Sequence, residues 1–425
     1  MHNNKERFLP RKFCFFSLFT IVFSRMVTDE SWKHVFIVDE NLPGISIFDL
    51  PYDHVRALRR TLVAAFPTLF TNSSANIHHF VAFNPSLVLL NGRLVSFFRF
   101  SDSQSCFNED YDDRRRSVIG MTILSDGRFV TSFLEFPYAD LYSHFGMRRD
   151  CPYQGAEDPR VLQDGSFVYI LTSVFIGQEC NIHPLVAVYR LVGSLRACKS
   201  FTASCIRFDR WVVLQFHRRA MVEKNWIPVR LSGGELIVLY KMCPHPVFLG
   251  CSMHSGLCVV RQVLILSRPC TYISSTPFVE IPWQSERRLL TVVHEKRAFG
   301  GSFQYASKAI VWDVHKDSRT VVLSESPLMY ISRPQLDEKR KGFVEYSTGL
   351  VYLQKQKQVW LSYGVGDCYA RFAAINLSQL VNLTRKVRMG IYSAWDTRDR
   401  RKFAKIISLT TRKPKHDYSS SDGTA

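Results

Sequence analysis

The chain lacks most of the short motifs that identify an enzyme directly. Its eleven cysteines include no CxxC pair, which argues against a zinc ribbon. There is no P-loop and no GxGxxG, so neither of these phosphate-binding loops is present. No convincing Ser-His-Asp arrangement occurs, and helical periodicity is scarce, the clearest stretch being 54–65. A mainly β protein with a different kind of active centre is therefore expected.

Acidic residues are also few relative to basic ones. Asp and Glu total 37 against 55 Lys and Arg, which gives a net charge of +18 and an attraction to anions. The candidate anions are nucleotide sugars, phosphoglycans, acidic lipid headgroups and nucleic acid; a solubilising surface is the alternative, because much of the charge lies near the ends. With 425 residues, 46% of them hydrophobic, the chain can form a substantial core in one large all-β domain or in two or three smaller domains.

The apolar run near the amino end is shorter than the ~20 residues of a typical membrane-spanning helix. It lies in 13–27, behind a basic tail at 1–12, and this order is typical of secretory signals. A type II signal-anchor is favoured over a cleaved signal, with a buried core helix as the third interpretation. The sequence thus predicts a single-pass Golgi membrane protein with a luminal catalytic domain at 35–395. Residues 396–425 are predicted to be a basic, polar, disordered tail.

Sequons and cysteines agree with a luminal location. Three Asn-x-Ser/Thr sequons begin at Asn72, Asn376 and Asn382 and predict glycosylation there. Only Cys14 lies in the apolar run, and the other ten cysteines could pair in an oxidising compartment. The favoured local disulfide is Cys251–Cys258.

One pattern of strand, polar turn and strand recurs five times along the chain. The hairpins start roughly 50–75 residues apart, a period that fits a five-bladed β-propeller with four-stranded blades. A β-sandwich is the alternative. The five hairpins begin at Pro85, Pro159, Pro228, Pro277 and Gly349.

In a propeller the first strand of each blade lines the central channel, so polar residues at the hairpin starts should meet there. Each such residue taken singly is more often structural, and their recurrence at equivalent places favours a shared site. The residues at the starts are Asn84, Asp158, Asn225, Ser275-Thr276 and Tyr346 or Ser347. Those at the far ends of second strands are Arg99, His294 and Tyr363.

The start of the second hairpin, Gly155 to Arg160, carries two adjacent carboxylates and a guanidinium. Pro159 fixes its own φ and pushes Asp158 into an extended conformation, before a strand, an Asp-Gly turn and a second strand. Carboxylates on such a loop suit general acid–base catalysis. A surface ion pair between Arg160 and Glu157 or Asp158 is the alternative.

Taken in order, these residues resemble the motifs of the β-mannoside phosphorylases and related mannosyltransferase/phosphorylases. The resemblance covers about 80–370 and implies a five-bladed propeller that acts with inversion. The segment 240–245 is similar to a eukaryotic and viral branch of glycosyltransferases with this fold. The basic charge, anchor and size resemble trypanosomatid galactofuranosyltransferases. The motifs are Asn84-Pro85-Ser86, Glu157-Asp158-Pro159-Arg160, Glu223-Lys224-Asn225-Trp226-Ile227-Pro228, His294 and Tyr363-Gly364-Val365-Gly366-Asp367.

The resemblance implies a role for each matching residue. Asp158 would transfer the proton, Glu157 would support it and Arg160 would orient it. Lys224 and His294 would face a phosphate. The family's phosphate-binding arginine has only a weak counterpart in Arg190, which favours a nucleotide-sugar transferase over phosphorolysis. The remaining substrate- or phosphate-binding residues would be Asn84, Arg99, Asn225, His245, Tyr363 and Asp367.

The expected function is therefore the inverting transfer of a mannosyl or galactofuranosyl group from a nucleotide sugar or sugar phosphate to a glycan or glycolipid. The alternatives are an inverting mannoside phosphorylase and a non-catalytic carbohydrate-binding propeller. The secretory signals argue against nucleic acid as a partner. No metal is predicted, because the DxD motif at 110–112 lies beside three arginines that would neutralise it.

Membrane attachment and glycosylation should both be visible in the native cell. We expect the domain at 35–395 to resist added protease in intact microsomes, because the membrane would enclose it, and its mobility to change after treatment with a glycosidase. Detergent-opened microsomes provide the control. A cytosolic protein whose mobility is unaffected by the glycosidase would contradict the luminal assignment.

Overall fold

The computed structural model describes residues 36–37, 45–50, 80–90, 92–102, 115–125, 128–134, 153–176, 181–191, 205–216, 224–265, 271–283, 286–299, 302–314, 321–325, 329–330, 345–366, 368–382, 385–387 and 392–393. These residues are nearly all β-strand, which confirms the all-β prediction. The predicted tails, the apolar segment, the stretch 54–65 and the DxD motif lie outside the described residues. Within the described part of the chain, no helix has the length and hydropathy needed to cross a membrane.

The strands form five antiparallel units, each containing one of the predicted hairpins. Two short strands, β1 (Phe36–Ile37) and β2 (Ile45–Asp49), come first in the chain. Unit one contains β3 (Phe80–Leu90), β4 (Arg93–Asp102), β5 (Arg115–Ser125) and β6 (Arg128–Phe133). Unit two contains β7 (Tyr153–Asp164), β8 (Phe167–Ile176), β9 (Asn181–Leu191) and β10 (Ile206–Val213). Unit three contains β11 (Ile227–Ser232), β12 (Glu235–Lys241), β13 (Val247–Ser252) and β14 (Cys258–Ile265).

The remaining strands complete units four and five. Unit four contains β15 (Tyr272–Ser275), β16 (Val279–Trp283), β17 (Glu286–Phe299), β18 (Ser302–Val314) and β19 (Val321–Glu325), with β20 (Met329–Tyr330) at its side. Unit five contains β21 (Glu345–Leu353), β22 (Gln358–Val365) and β23 (Tyr369–Asn376). The helix α1 (Leu377–Asn382), β24 (Arg385–Val387) and β25 (Tyr392–Ser393) follow.

Strand pairing links distant parts of the chain. In unit five, β2 pairs antiparallel with β23, so that Ile45 lies opposite Ile375 and β2 supplies the fourth strand. A parallel pairing of β5 with β7 joins units one and two into one sheet. The late strands β24 and β25 add to β19 and β14, at the edges of units four and three.

Four large apolar clusters lie between the units. The first packs unit one against units two and five, with Phe98, Ile170 and Phe372 among its members. The others join unit two to three, unit three to four, and unit four to five. Each unit therefore packs against two others, in the order one, two, three, four, five and back to one.

The first strand bends at an equivalent place in every unit. The pairing of β3, β7, β11 and β21 with the next strand shifts register near this point, and in unit four the break separates β15 from β16. Asn84 (49°) and Asp158 (49°) have a left-handed φ at these bends, and Asn225 (64°) has one just ahead of β11. Asn and Asp tolerate this conformation better than other residues with a side chain. The extended conformation predicted for Asp158 is therefore wrong, because the bend requires a positive φ.

The cysteines follow the predicted oxidised state. All five cysteines in the described segments are disulfide-bonded, and Cys251 pairs with Cys258 between neighbouring strands, which confirms the favoured local disulfide. The other three are Cys205, Cys243 and Cys368.

Units one and five approach too closely at Gly349 for any side chain. A Cβ there would lie 2.2 Å from the backbone nitrogen of Leu87 and 2.7 Å from Cα of Ser86. We expect Gly349→Ala to destabilise the protein by about 1 to 3 kcal/mol, because two backbones must separate. The measurement is urea unfolding.

Gly250→Ala is the matched control, since its Cβ would meet the side chains of Glu235 and Arg261, which can move aside. An equal loss of stability in both variants would contradict this account of the junction.

Candidate functional site

The acidic pair lies at the bend of β7, inside the molecule. Gly155 leads into the bend with a φ of +96°, and a Cβ there would lie 1.8 Å from the backbone oxygen of Ser117 on the parallel strand. The side chain of Glu157 is 2% exposed, whereas that of Asp158 is 16% exposed. Asp158 is therefore the carboxylate that remains accessible from outside the cluster.

Cations from three units surround these carboxylates. Arg99 of unit one lies 2.6 Å from Oε1 of Glu157 and 3.7 Å from Oδ1 of Asp158. Lys224, which precedes unit three, places Nζ 2.8 Å from Oε2 of Glu157, and its side chain is 32% exposed. Thus Glu157 is neutralised from both sides, and Lys224 is the cation most open to solvent in this group. Because buried charges are costly unless paired, the arrangement fixes these units relative to one another.

The alternative interpretation of Arg160 as part of a surface ion pair is wrong. Arg160 is 1% exposed, and its Nη1 donates to the backbone oxygens of Asp158 and Pro159 at 3.3 and 3.2 Å. Its Nη2 donates to Oη of Tyr346 at 3.1 Å. The guanidinium therefore lies beneath the bend of β7, where it is enclosed by unit five.

Asp158 is held in its ionised form. Burial on its own would raise the pKa of this carboxyl, but Arg99, Arg160, a hydrogen bond from Asn84 and Lys224 together hold the pKa below its ordinary value. Nδ2 of Asn84 donates to Oδ1 of Asp158 at 2.7 Å. Asp158 therefore carries no proton at neutral pH and can accept one.

His294 lies beside this group, but it is not a cation. Its ring packs against Tyr346 at 4.5 Å and Tyr305 at 5.5 Å between centroids. Burial, and then the neighbouring charge of Arg160, lower the pKa of His294 to about 3. The imidazole is therefore neutral at physiological pH and adds no positive charge for a phosphate, while the expected position of His294 facing a phosphate stays a prediction.

Apart from Oε1 of Glu157, which is ion-paired with Arg99, three polar atoms in this group have no hydrogen-bond partner among the described residues. They are buried, whereas buried polar atoms are normally paired. They are Oδ1 of Asn84, Nε of Arg160 and Nδ1 of His294.

The other predicted site residues fall elsewhere. Tyr363 is fully buried in the apolar cluster between units four and five, and its role in binding substrate stays a prediction. Thr276 is buried and bonds within unit four, where its hydroxyl accepts from the amide of Val292. His245 lies in the turn between β12 and β13, and burial lowers its pKa. The weak phosphate candidate Arg190 is exposed and pairs with Asp209 on the edge strand.

The sequons are only partly described. Oδ1 of Asn376 accepts from the amide and hydroxyl of Ser378 at 3.0 and 2.8 Å, which caps α1. Asn382 is the last residue of that helix, while Asn72 and the predicted sugar ligand Asp367 lie outside the described residues. Glycosylation at these positions stays a prediction.

Sequence reasoning missed several supporting groups. Tyr346 was named at a hairpin start without a role, yet it contacts Arg160, Asn225 and His294. The hydroxyl of Thr172 donates to the backbone oxygen of Glu157 at 2.5 Å, and Nε of Arg99 donates to Oγ of Ser117 at 2.9 Å. No local motif marks these residues, because their partners come from other strands. In the part of the chain described, no three His, Cys, Asp or Glu side chains gather as metal ligands.

Among known proteins, this chain shows similarity to solved structures but not to family models or curated sequences. No family model matches the chain, and no curated protein matches its sequence. The β-1,2-mannobiose phosphorylase of Listeria innocua is 17% identical with a TM-score of 0.46, over 72% of this chain and 93% of that chain. A glycosyl hydrolase from Bacteroides ovatus is 14% identical with a TM-score of 0.45, over 73% and 87%. The sialidase of Trypanosoma rangeli is 12% identical with a TM-score of 0.41, over 71% and 55%. These values do not assign the chain to a family.

The buried histidine makes stability depend on pH. With the folded pKa near 3 and an ordinary value of 6.5, the unfolded chain binds more protons at His294 in this interval, so stability falls as the pH is lowered. The slope should reach about 1.4 kcal/mol per pH unit. His294→Gln should show a smaller slope in urea unfolding measured between about pH 4 and 7.

Two comparisons isolate this effect. The pKa of Asp158 is lowered in the folded protein, so this residue also stabilises the fold. Its contribution to stability is lost only as the pH falls below the ordinary pKa of 3.8 and through the folded value. His254→Gln changes an exposed histidine and should leave the slope unaltered. A wild-type slope in His294→Gln would show that the buried imidazole does not cause the acid sensitivity.

Proposed function

We propose that the chain is an enzyme that makes or breaks glycosidic bonds, and that its five units form a five-bladed β-propeller. The observation that carries this proposal is the acidic pair, in which Glu157 and Asp158 lie among three cations where first strands of the units meet. A partly exposed carboxylate that is held ionised beside several cations can accept a proton from a reacting hydroxyl, which is the role of a general base.

Within this class, the charges favour a reaction in which phosphate attacks or leaves. Arg99, Arg160 and Lys224 carry three positive charges, Glu157 and Asp158 carry two negative ones, and the neighbouring histidine is neutral. The group therefore has one positive charge in excess, which a phosphate could neutralise. Together with the motif resemblance, this supports an inverting mannoside phosphorylase.

The ionised state of Asp158 is the one that the synthetic direction requires. There, the oxygen of an acceptor hydroxyl forms a bond to the anomeric carbon, the bond from that carbon to the phosphate oxygen breaks, and the hydroxyl proton passes to Asp158. In phosphorolysis, protonated Asp158 returns the proton to the departing glycosidic oxygen while phosphate attacks. A lowered pKa leaves the residue ready for the first of these roles at neutral pH.

A glycosyltransferase with a nucleotide-sugar donor is the second candidate. It is favoured by the disulfides, since all five described cysteines are paired and disulfides persist in oxidising compartments such as the secretory lumen. Under this proposal the segment 13–27 attaches the protein to the Golgi membrane, and the acceptor is a glycan or glycolipid. The proton transfer by Asp158 is the same, because a nucleoside diphosphate also leaves as an anion.

A turnover assay with purified protein should identify the sugar donor. We expect turnover of mannose 1-phosphate with mannosides, or of GDP-mannose or UDP-galactofuranose with the same acceptors, measured by product formation. Asp158→Asn keeps the size and the hydrogen bonds but removes proton transfer, so the rate should fall at least ~100-fold. Lys224→Ala should weaken donor binding and make it less sensitive to salt.

Asp164→Asn is the matched control, because this aspartate lies at the exposed turn of the same strand and should leave the rate unchanged. A folded Asp158→Asn variant with the wild-type rate would end the catalytic assignment. Saturable sugar binding without turnover of any donor would favour a binding module instead.

A further inference from the structure

A tyrosine from unit five occupies the centre of the contacts beneath the acidic pair. Tyr346 lies near the start of β21 and is 9% exposed. Its side chain contacts residues of units two and four and the residue that leads into unit three. This one side chain therefore connects unit five to unit two, to unit four and to the segment that leads into unit three.

The first contact is with Arg160. Nη2 of Arg160 donates to Oη of Tyr346 at 3.1 Å, while the other nitrogen of the fork donates to backbone oxygens of Asp158 and Pro159. Tyr346 is the side-chain acceptor that holds this guanidinium in the described structure. The charge of Arg160 is thereby kept beside Asp158.

The second contact is with Asn225. The hydroxyl of Tyr346 donates to Oδ1 of Asn225, a residue with a left-handed φ of 64°. The next residue back is Lys224, whose ammonium is paired with Glu157. The hydroxyl of Tyr346 thus donates one hydrogen bond to Asn225 and accepts one from Arg160, so it bridges these two residues.

A third set of contacts encloses the ring of Tyr346 and so fixes the position of its hydroxyl oxygen. The ring of Tyr346 meets His294 edge-on at 4.5 Å and Tyr305 at 6.3 Å between centroids, and the guanidinium of Arg160 lies 5.3 Å from its centre. A ring enclosed in this way keeps one orientation. The bridge from Arg160 to Asn225 is therefore preorganised rather than formed when a ligand arrives.

We propose that Tyr346 is a positioning residue, whose hydroxyl holds Arg160 against Asp158 and holds Asn225 in the conformation that presents Lys224 to Glu157. It acts through these residues and need not touch the substrate. This inference rests on the proposed proton transfer by Asp158, and it adds a residue that the motif resemblance does not include.

Tyr346→Phe tests the bridge, because it removes the hydroxyl and keeps the ring. We expect kcat to fall about tenfold to a hundredfold with a smaller change in KM, since a misplaced group costs rate more than binding. Asp158 faces Arg99, Arg160 and Lys224 and adjoins Glu157; once Arg160 is loosened, the pKa of Asp158 should rise. The acid limb of the pH profile of kcat/KM should therefore move to higher pH.

Tyr352→Phe is the control, because it removes a hydroxyl from the far end of the same strand. Its rate, its acid limb and its unfolding midpoint should match those of the wild type. Wild-type kcat and pH profile in Tyr346→Phe would overturn the proposal, and so would equal changes in the two variants.

A second measurement does not depend on activity. The carboxyl of Asp158 can be titrated by NMR in full-length protein labelled with 13C-aspartate, its signal being the one missing from Asp158→Asn. We expect the midpoint to rise in Tyr346→Phe and to stay in place in Tyr352→Phe. If it does so in a protein that turns over no sugar, the positioning role stands and the proposed function falls. An unchanged midpoint in Tyr346→Phe overturns the positioning role.

Discussion

The architecture depends on how one buried carboxylate is neutralised. Glu157 belongs to unit two, and its partners Arg99 and Lys224 come from unit one and from the segment that leads into unit three. A buried charge left without its partner is strongly destabilising, so the three segments must dock together. The apolar clusters between units supply most of the burial, and close approaches such as the one at Gly349 leave little room for shifts. Packing and the ion pairs of Glu157 therefore hold the units together.

The bends in the first strands explain how so many polar groups reach one place. A straight strand alternates its side chains between two faces, and both faces here pack against neighbouring units. A left-handed residue interrupts this alternation at Asn84 and at Asp158, and a third, Asn225, lies just ahead of β11. Such conformations cost roughly 1–3 kcal/mol each and tend to occur at functional sites. Asn or Asp therefore adopts a left-handed conformation near the first strand in each of units one, two and three.

Much of the fold could be predicted because its signals are local. Asp164-Gly165 and Gly233-Gly234 mark hairpin turns, and alternation marks the strands beside them. The repeat alone predicts that polar residues at the hairpin starts lie close together, and the hydrogen bond from Asn84 to Asp158 is one example. The charge state of His294 and the partner of Arg160 could not be predicted in the same way. They depend on which residues of other units enclose them, and no short stretch of sequence encodes that.

The strand β2 gives the folding pathway an unusual order. It precedes units one to four in the sequence but pairs with β23, which follows them, so unit five is completed by strands from both sides of the other four units. Contacts between such distant residues form slowly, because a long loop must close first. Tyr346 belongs to this unit, so its bridge to Arg160 also joins residues that are far apart in the sequence. A nascent chain would therefore carry its two carboxylates and their cations for some time without the geometry that makes them act together.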